Sequence, residues 1–431
     1  MINAVDVFLW GTKIGSLYQK NDRLPISFEY DKDFISSGIQ PSPFMMPLSG
    51  KIYSFPGLPE ESFHGAPGMI ADSLPDAFGN AVIDKWLVTR GRKPDSFTTL
   101  ERLCYTGKRG MGALEYVPST GPDPTKDNID ITEMSELASE ILSSRESAIS
   151  SEKEMHLSQM LEVGSSAGGA RAKALIAWNE TTGEVKSGQI DAGEGFKYWL
   201  IKFDGVKKNG DHGIADPKQY TLIEYAYYKI ACDLGINMTE CRIYQKDGLK
   251  HFITERFDRL NNDKIHMQSF GALSHIDYNN PGLSGYELLA DYASRLEIGQ
   301  AGREQLFKRM TFNIIGMNCD DHVKNFSFLM DKSGNWTLSP AYDLTFAYAP
   351  GSRWLSGHQM TVAGKTNKIT EEDLISCGKE MGLGVKFCNR IVSETKESFS
   401  KWLQYADNAG LSEERALEVY KGIKEAGEGR F

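Results

Sequence analysis

Asp320, Asn325 and Asp343 lie within one short stretch. It reads Asn318-Cys-Asp320-Asp321-His322-Val323-Lys324-Asn325 and resumes at Ser339-Pro340-Ala341-Tyr342-Asp343. ATP-dependent phosphoryl transfer needs one carboxylate to orient a hydroxyl nucleophile and an amide plus a carboxylate to hold magnesium. Asp320 is placed for the first task, Asn325 and Asp343 for the second. His322 either orients the loop or touches phosphate. Taken singly, each residue reads as well as part of a solvated turn or a hydrogen-bonded core. The case for chemistry rests on the set.

Such a set must be held by its neighbours. Leu306, Met310 and Ile314 recur on one face of a helix expected over 304–317, which delivers the loop. Residues 326–338 read as a β-hairpin turning at Asp331-Lys-Ser-Gly-Asn335, which returns Asp343 towards Asn325. Upstream, Tyr198-Trp-Leu-Ile-Lys202-Phe203 reads as a strand with Lys202 among apolar residues. A buried ammonium needs an anion, so Lys202 either contacts nucleotide phosphate or sits at a sheet edge and reaches water. The helix expected from Tyr220 to Leu234 carries Glu224. That residue could pair with Lys202 or close a capping box with Thr221.

The segment 163–173, Val-Gly-Ser-Ser-Ala-Gly-Gly-Ala-Arg-Ala-Lys, fails as a Walker A loop, because Gly169 is followed by Ala170-Arg171. Its backbone amides could still cradle phosphate, with Arg171 or Lys173 adding charge, or it could be a tight turn. Ser165 and Ser166 at its centre are candidates for self-phosphorylation. Glu255-Arg256-Phe257-Asp258-Arg259 is either a hinge offering backbone groups to adenine or a surface charge cluster.

The formal net charge of −10 makes nucleic-acid binding by this chain alone a poor expectation. Six cysteines without a C-x-x-C pair suggest neither a disulfide framework nor a zinc site, and a reducing cytoplasm fits them. The first residues lack a basic stretch followed by an apolar run, and no run approaches a membrane span. Pro118-Ser-Thr-Gly-Pro-Asp-Pro-Thr125 is the clearest linker. The expected fold class is α+β. A small β-rich domain (1–120) and connecting helices (121–162) precede a sheet-based lobe (163–260) and a mostly helical lobe (261–431).

Asp320-x-His322-x-x-Asn325, Tyr342-Asp343, Glu255–Arg259 and the Ser-x-x-Gly-Ala-x-x-Lys pattern at Ser166–Lys173 together resemble the HipA family of serine/threonine kinase toxins. Phe28-Glu-Tyr-Asp31, Leu74-Pro-Asp76 and Gly110-Met-Gly-Ala113 extend the resemblance over nearly the whole chain. It implies a bilobal protein-kinase-like domain akin to phosphatidylinositol-3-kinases, using ATP and Mg2+. By resemblance the catalytic residues are Asp320, Lys202 and His322, and Asn325 and Asp343 hold the metal. The ATP contacts would come from Ser166, Ala167, Gly168, Gly169, Ala170, Arg171, Lys173, Lys202, Glu255, Arg256, Phe257, His322, Lys324 and Asn325. The family phosphorylates a serine of its own Gly-rich loop, here Ser166 or the adjoining Ser165. It also implies a HipB-like helix-turn-helix antitoxin as partner, DNA contact mainly through that antitoxin, and a protein substrate such as an aminoacyl-tRNA synthetase. Asp321 stands where some members have glycine. A kinase of a small-molecule acceptor and a catalytically silent co-repressor are the alternative readings.

Overall fold

The computed structural model describes residues 2–123, 125, 127–143, 154–164, 171–206, 219–260 and 263–427. In the first region, Val5, Val7 and Leu9 point to one buried face of β1 (Ala4–Leu9), as strand alternation requires. Trp10 and Gly11, both at positive φ, turn the chain into β2 (Thr12–Tyr18). Two such residues suit the tight turns whose twist matches a hairpin. With β3 (Ser27–Tyr30), β4 (Ile52–Tyr53) and β5 (Leu114–Val117) they form an antiparallel sheet in the order β4-β3-β2-β1-β5. The connection after β4 holds a one-turn helix, Glu60–Phe63.

A second antiparallel sheet follows, in the order β7-β6-β8-β10-β9. Its strands are β6 (Lys173–Trp178), β7 (Val185–Ser187), β8 (Lys197–Lys202), β9 (Cys241–Lys246) and β10 (Leu249–Glu255). Trp199 and Ile201 of β8 share a core with Ala174 and Ile176 of β6 and with helices Ile131–Ser143 and Glu154–Val163. Helix Ala77–Thr89 joins that core through Phe78, Ala81 and Val82. It lies before the Pro118–Thr125 linker in sequence yet packs against the second sheet. The first region is therefore built into the sheet lobe.

The helical lobe surrounds helix Gly299–Ile315, whose Leu306, Met310 and Ile314 are buried. Helices Tyr286–Arg295, Glu371–Glu380, Val385–Ser400 and Trp402–Asn408 contribute to the same core. Helix Tyr220–Asp233 joins it through Leu222, Ala226 and Ile230 while packing on the second sheet, so it ties the two lobes together. The short strands β11 (Arg259–Leu260) and β12 (Asp263–Lys264) pair with each other, and Arg259 and Lys264 reach residues of the first region. Beyond them β13 (His266–Ser269) pairs with β14 (Ser327–Met330), which forms the expected hairpin with β15 (Trp336–Leu338). No described helix is long and apolar enough to cross a membrane.

Candidate functional site

Lys202 is the last residue of β8, and its backbone register sets it opposite Lys173, the first residue of β6. Both side chains are buried, at 8% and 4% exposure. Like charges directly opposite on neighbouring strands destabilise a sheet unless anions balance them. The Lys202 ammonium lies 2.6 Å from Oε1 of Glu224 and is also hydrogen-bonded to Oδ1 of Asp343. Burial alone would lower its pKa. Asp343 and Glu224 outweigh that and raise it, so the ammonium stays charged. Glu224 thus turns inward to Lys202 and does not cap its helix, which starts after Gln219 without a side-chain cap.

Asp343 follows the hairpin in a left-handed backbone conformation (φ 53°). A non-glycine residue there is held by its surroundings. Its carbonyl accepts from Nδ2 of Asn318 at 3.2 Å, and the same amide donates to Oδ1 of Asn313 at 3.0 Å. Burial would raise the Asp343 pKa, but Lys202 and Lys173 hold it down at about 2. It is a carboxylate at any physiological pH.

Asp320 and Asn325 face each other across a single 3-10 turn, Val323–Asn325. Asn325 Nδ2 donates to the Asp320 carbonyl at 2.7 Å, which orients the amide. His322 Nε2 is 4.0 Å from Asp320 Oδ1, and its ring packs on Tyr278. The Lys324 ammonium lies over the same Tyr278 ring. Tyr342 donates to the Lys324 carbonyl at 2.7 Å, so the residue before Asp343 fixes the loop that carries Asn325.

Asp321 has a different role from its neighbour. It is fully buried, and its oxygens accept from Tyr286 Oη (2.7 Å), from the Gln359 amide (2.8 Å) and from His358 Nδ1 (3.2 Å). It anchors the loop from behind, through a histidine that sequence reasoning did not single out.

The Glu255–Arg259 segment is not a surface charge cluster. The Glu255 and Arg256 amides already donate to the carbonyls of Glu240 (2.8 Å) and Tyr198 (2.9 Å). The Arg256 guanidinium grips Asp258 with two bonds of 2.9 Å, and neither side chain is exposed. Asp258 also accepts from the Gly112 amide at 2.9 Å, and Arg259 donates to the Gly112 carbonyl at 3.1 Å. Burial would raise the Asp258 pKa, but the two arginines hold it well below the usual carboxylate range. The segment therefore fastens the Gly110–Ala113 turn of the first region to the second sheet. Phe257 lies beside the Tyr342 ring, 5.7 Å between centroids.

Arg171 lies over the Tyr220 ring. Ser165, Ser166, Ala167, Gly168, Gly169 and Ala170 lie outside the described residues. Among the described residues no three His, Cys, Asp or Glu side chains form a ready-made metal cage. Magnesium does not need one, because it takes one or two protein oxygens and completes its shell with water and phosphate. Anionic Asp343 and the oriented amide of Asn325 offer suitable hard oxygens, and the opposed lysines offer charge for phosphates.

A sheet lobe and a helical lobe, joined at a site of buried lysines, an oriented amide and carboxylates, define a kinase-like bilobal fold. The chain belongs to the HipA family. Residues 165–426 match the HipA-like C-terminal domain, and residues 5–117 match the HipA N-terminal domain. Among solved structures it is similar to HipA of Shewanella oneidensis, determined with HipB and operator DNA. The TM-score is 0.64 at 17% identity, covering 98% of this chain and 95% of that one. A candidate kinase of Haemophilus influenzae is 27% identical over 159 residues, 33% of this chain and 46% of that protein. The candidate kinase Y4mE of Sinorhizobium fredii is 24% identical over 208 residues, 43% of this chain and 48% of that protein. The chain thus spans about half the length of the curated relatives it matches.

Proposed function

We propose that this protein is an ATP-dependent serine/threonine protein kinase toxin of HipA type. The observation that carries the reading is the meeting of Lys202, Glu224 and Asp343 from three separate parts of the chain, next to the loop that carries Asp320 and Asn325. Bound Mg-ATP supplies the transferable phosphoryl group and neutralises its charge. Lys202 and Lys173 bind phosphate oxygens, while Glu224 keeps Lys202 in place. Asn325 and Asp343 hold the magnesium. Asp320 orients the acceptor hydroxyl and takes its proton, and His322 and Lys324 flank it.

The acceptor is a serine of a cellular protein, a translation component such as an aminoacyl-tRNA synthetase. Ser166 or Ser165 is the site of self-phosphorylation. A HipB-like antitoxin is the partner, as the Shewanella HipA was solved with HipB and operator DNA. With a net charge of −10 this chain reaches DNA mainly through that partner. The site of action is the cytoplasm.

The test is incubation of the purified protein with γ-labelled ATP and magnesium, followed by phosphopeptide mass spectrometry. Label on Ser166 or Ser165, lost in Asp320→Ala, is expected. Undiminished label in Asp320→Ala removes Asp320 from its role. Label on a lysate metabolite and on no protein favours a small-molecule acceptor.

A further inference from the structure

Lys202 is balanced by Glu224 and Asp343 within the kinase-like part of the chain. Its cross-strand neighbour Lys173 is balanced from elsewhere. The Lys173 ammonium lies 3.3 Å from Oδ2 of Asp76, and the two side chains are 5% and 3% exposed. Asp76 belongs to the first region. It is the N-cap of helix Ala77–Thr89, and its Oδ1 accepts from the Gly79 amide at 2.7 Å. One carboxylate therefore starts a helix and holds a lysine of the second sheet.

The turn that carries Asp76 is fixed at both ends. Four residues earlier, Asp72 accepts from the Ser269 amide at 2.7 Å and from its hydroxyl at 3.0 Å, tying the turn to β13 of the helical lobe. Downstream, helix Ala77–Thr89 is packed into the core of the second sheet. The short run from Asp72 to Asp76 thus bridges both lobes beside the opposed lysines. Burial pushes the Asp76 carboxyl up, and Lys173 works against that shift.

We propose that Asp76 is a positioning residue for nucleotide: it aims Lys173 beside Lys202 at the phosphates, so the first region forms part of the phosphate site. The inference rests on the kinase reading above. A carboxylate one bond network away from the phosphates governs affinity only through the lysine it holds. Its effect must therefore grow with the number of phosphates and vanish for the bare nucleoside. A purely architectural role would weaken every ligand alike.

The experiment is calorimetric titration of the full chain with ATP, ADP and adenosine in the presence of magnesium. Asp76→Asn keeps an oxygen for the Gly79 amide, and asparagine caps helices about as well as aspartate. With the charge-assisted bond lost, ATP should bind about tenfold more weakly and ADP about threefold more weakly, with adenosine unchanged within about twofold. Lys173→Met should show the same pattern, and the double variant should lose no more than either single one. Equal weakening of all three ligands, or additive losses in the double variant, overturns the proposal. Should Asp76→Asn not fold, Asp76→Glu replaces it, with weaker ATP and unchanged adenosine expected and unchanged ATP overturning the inference. An unmutated protein that binds no ATP sinks the kinase reading and this inference together. Normal ATP binding by Asp76→Asn sinks this inference alone.

Discussion

His358 and Asp321 form a buried ion pair directly behind Asp320, with Nδ1 of the imidazole 3.2 Å from Oδ2 of the carboxylate. Neighbouring aspartates thus have opposite situations. Asp321 is sealed in by Tyr286, Gln359 and His358, while Asp320 is 27% exposed and lies beside His322. The pair explains how a chain with two consecutive carboxylates directs only one of them to the site.

That pair makes stability depend on pH. Burial alone would lower the His358 pKa, but Cys319 and Asp321 raise it from 6.5 to about 10. A raised folded-state pKa contributes stability that is complete below the unfolded value and is lost as pH rises through the folded value. Denaturant unfolding should therefore show declining stability between about pH 6.5 and 10. The decline should be largely absent in His358→Gln. Asp321→Asn strands the histidine and should cost about 3 kcal/mol at neutral pH. Identical pH profiles for the parent and His358→Gln would count against the pairing.

Glu224 shares the Lys202 ammonium with Asp343. Glu224→Gln should lower kcat/KM for ATP by about tenfold, the expected cost of one weakened charge-assisted bond. Lys202→Met should lower it further. In the double variant the losses should fall short of additive, because both changes break one contact. Initial rates against ATP concentration check this. Full additivity would mean that Glu224 acts independently of Lys202.

Asp343 is held anionic, so its neutral analogue should affect metal before nucleotide. Asp343→Asn should raise the magnesium concentration for half-maximal phosphate transfer by about tenfold or more, and chelation by EDTA should abolish transfer in the parent. Titration of activity with magnesium provides the readout. An unchanged magnesium requirement in Asp343→Asn would remove this residue from the metal site.

Asp258 is shared by Arg256 and Arg259 beneath the Gly110–Ala113 turn. Asp258→Asn leaves two buried guanidinium groups short of their counter-charge and should destabilise the protein by about 3–5 kcal/mol. The surface pair Lys332–Asp263, 60% and 72% exposed, is the control. Its removal should change stability by less than about 0.5 kcal/mol. Denaturant midpoints of the two variants provide the comparison, and similar midpoints would contradict the fastening role of Asp258.

What could be read from the chain was whatever depends on short spacing. The alternation in β1, the apolar run of β8, the four-residue periodicity of helix Ala77–Thr89 and the hairpin between Asn325 and Asp343 are local patterns, set by strand and helix geometry. The capping box of Thr370 with Asp373 is equally local. For Glu224 the local signal competed with a distant one. A cap contributes about 1 kcal/mol, whereas a buried lysine left without its carboxylate costs about 3–5 kcal/mol, so the tertiary partner won. The pairs Asp76–Lys173, Asp258–Gly112 and Asp321–His358 join residues from 37 to 146 positions apart. Motifs such as Leu74-Pro-Asp76 and Gly110–Ala113 were visible as residues, but they acquire a role only when folding brings them against the second sheet. No spacing rule encodes which buried charge meets which. That is decided by the cost of leaving any of them unpaired inside the folded chain.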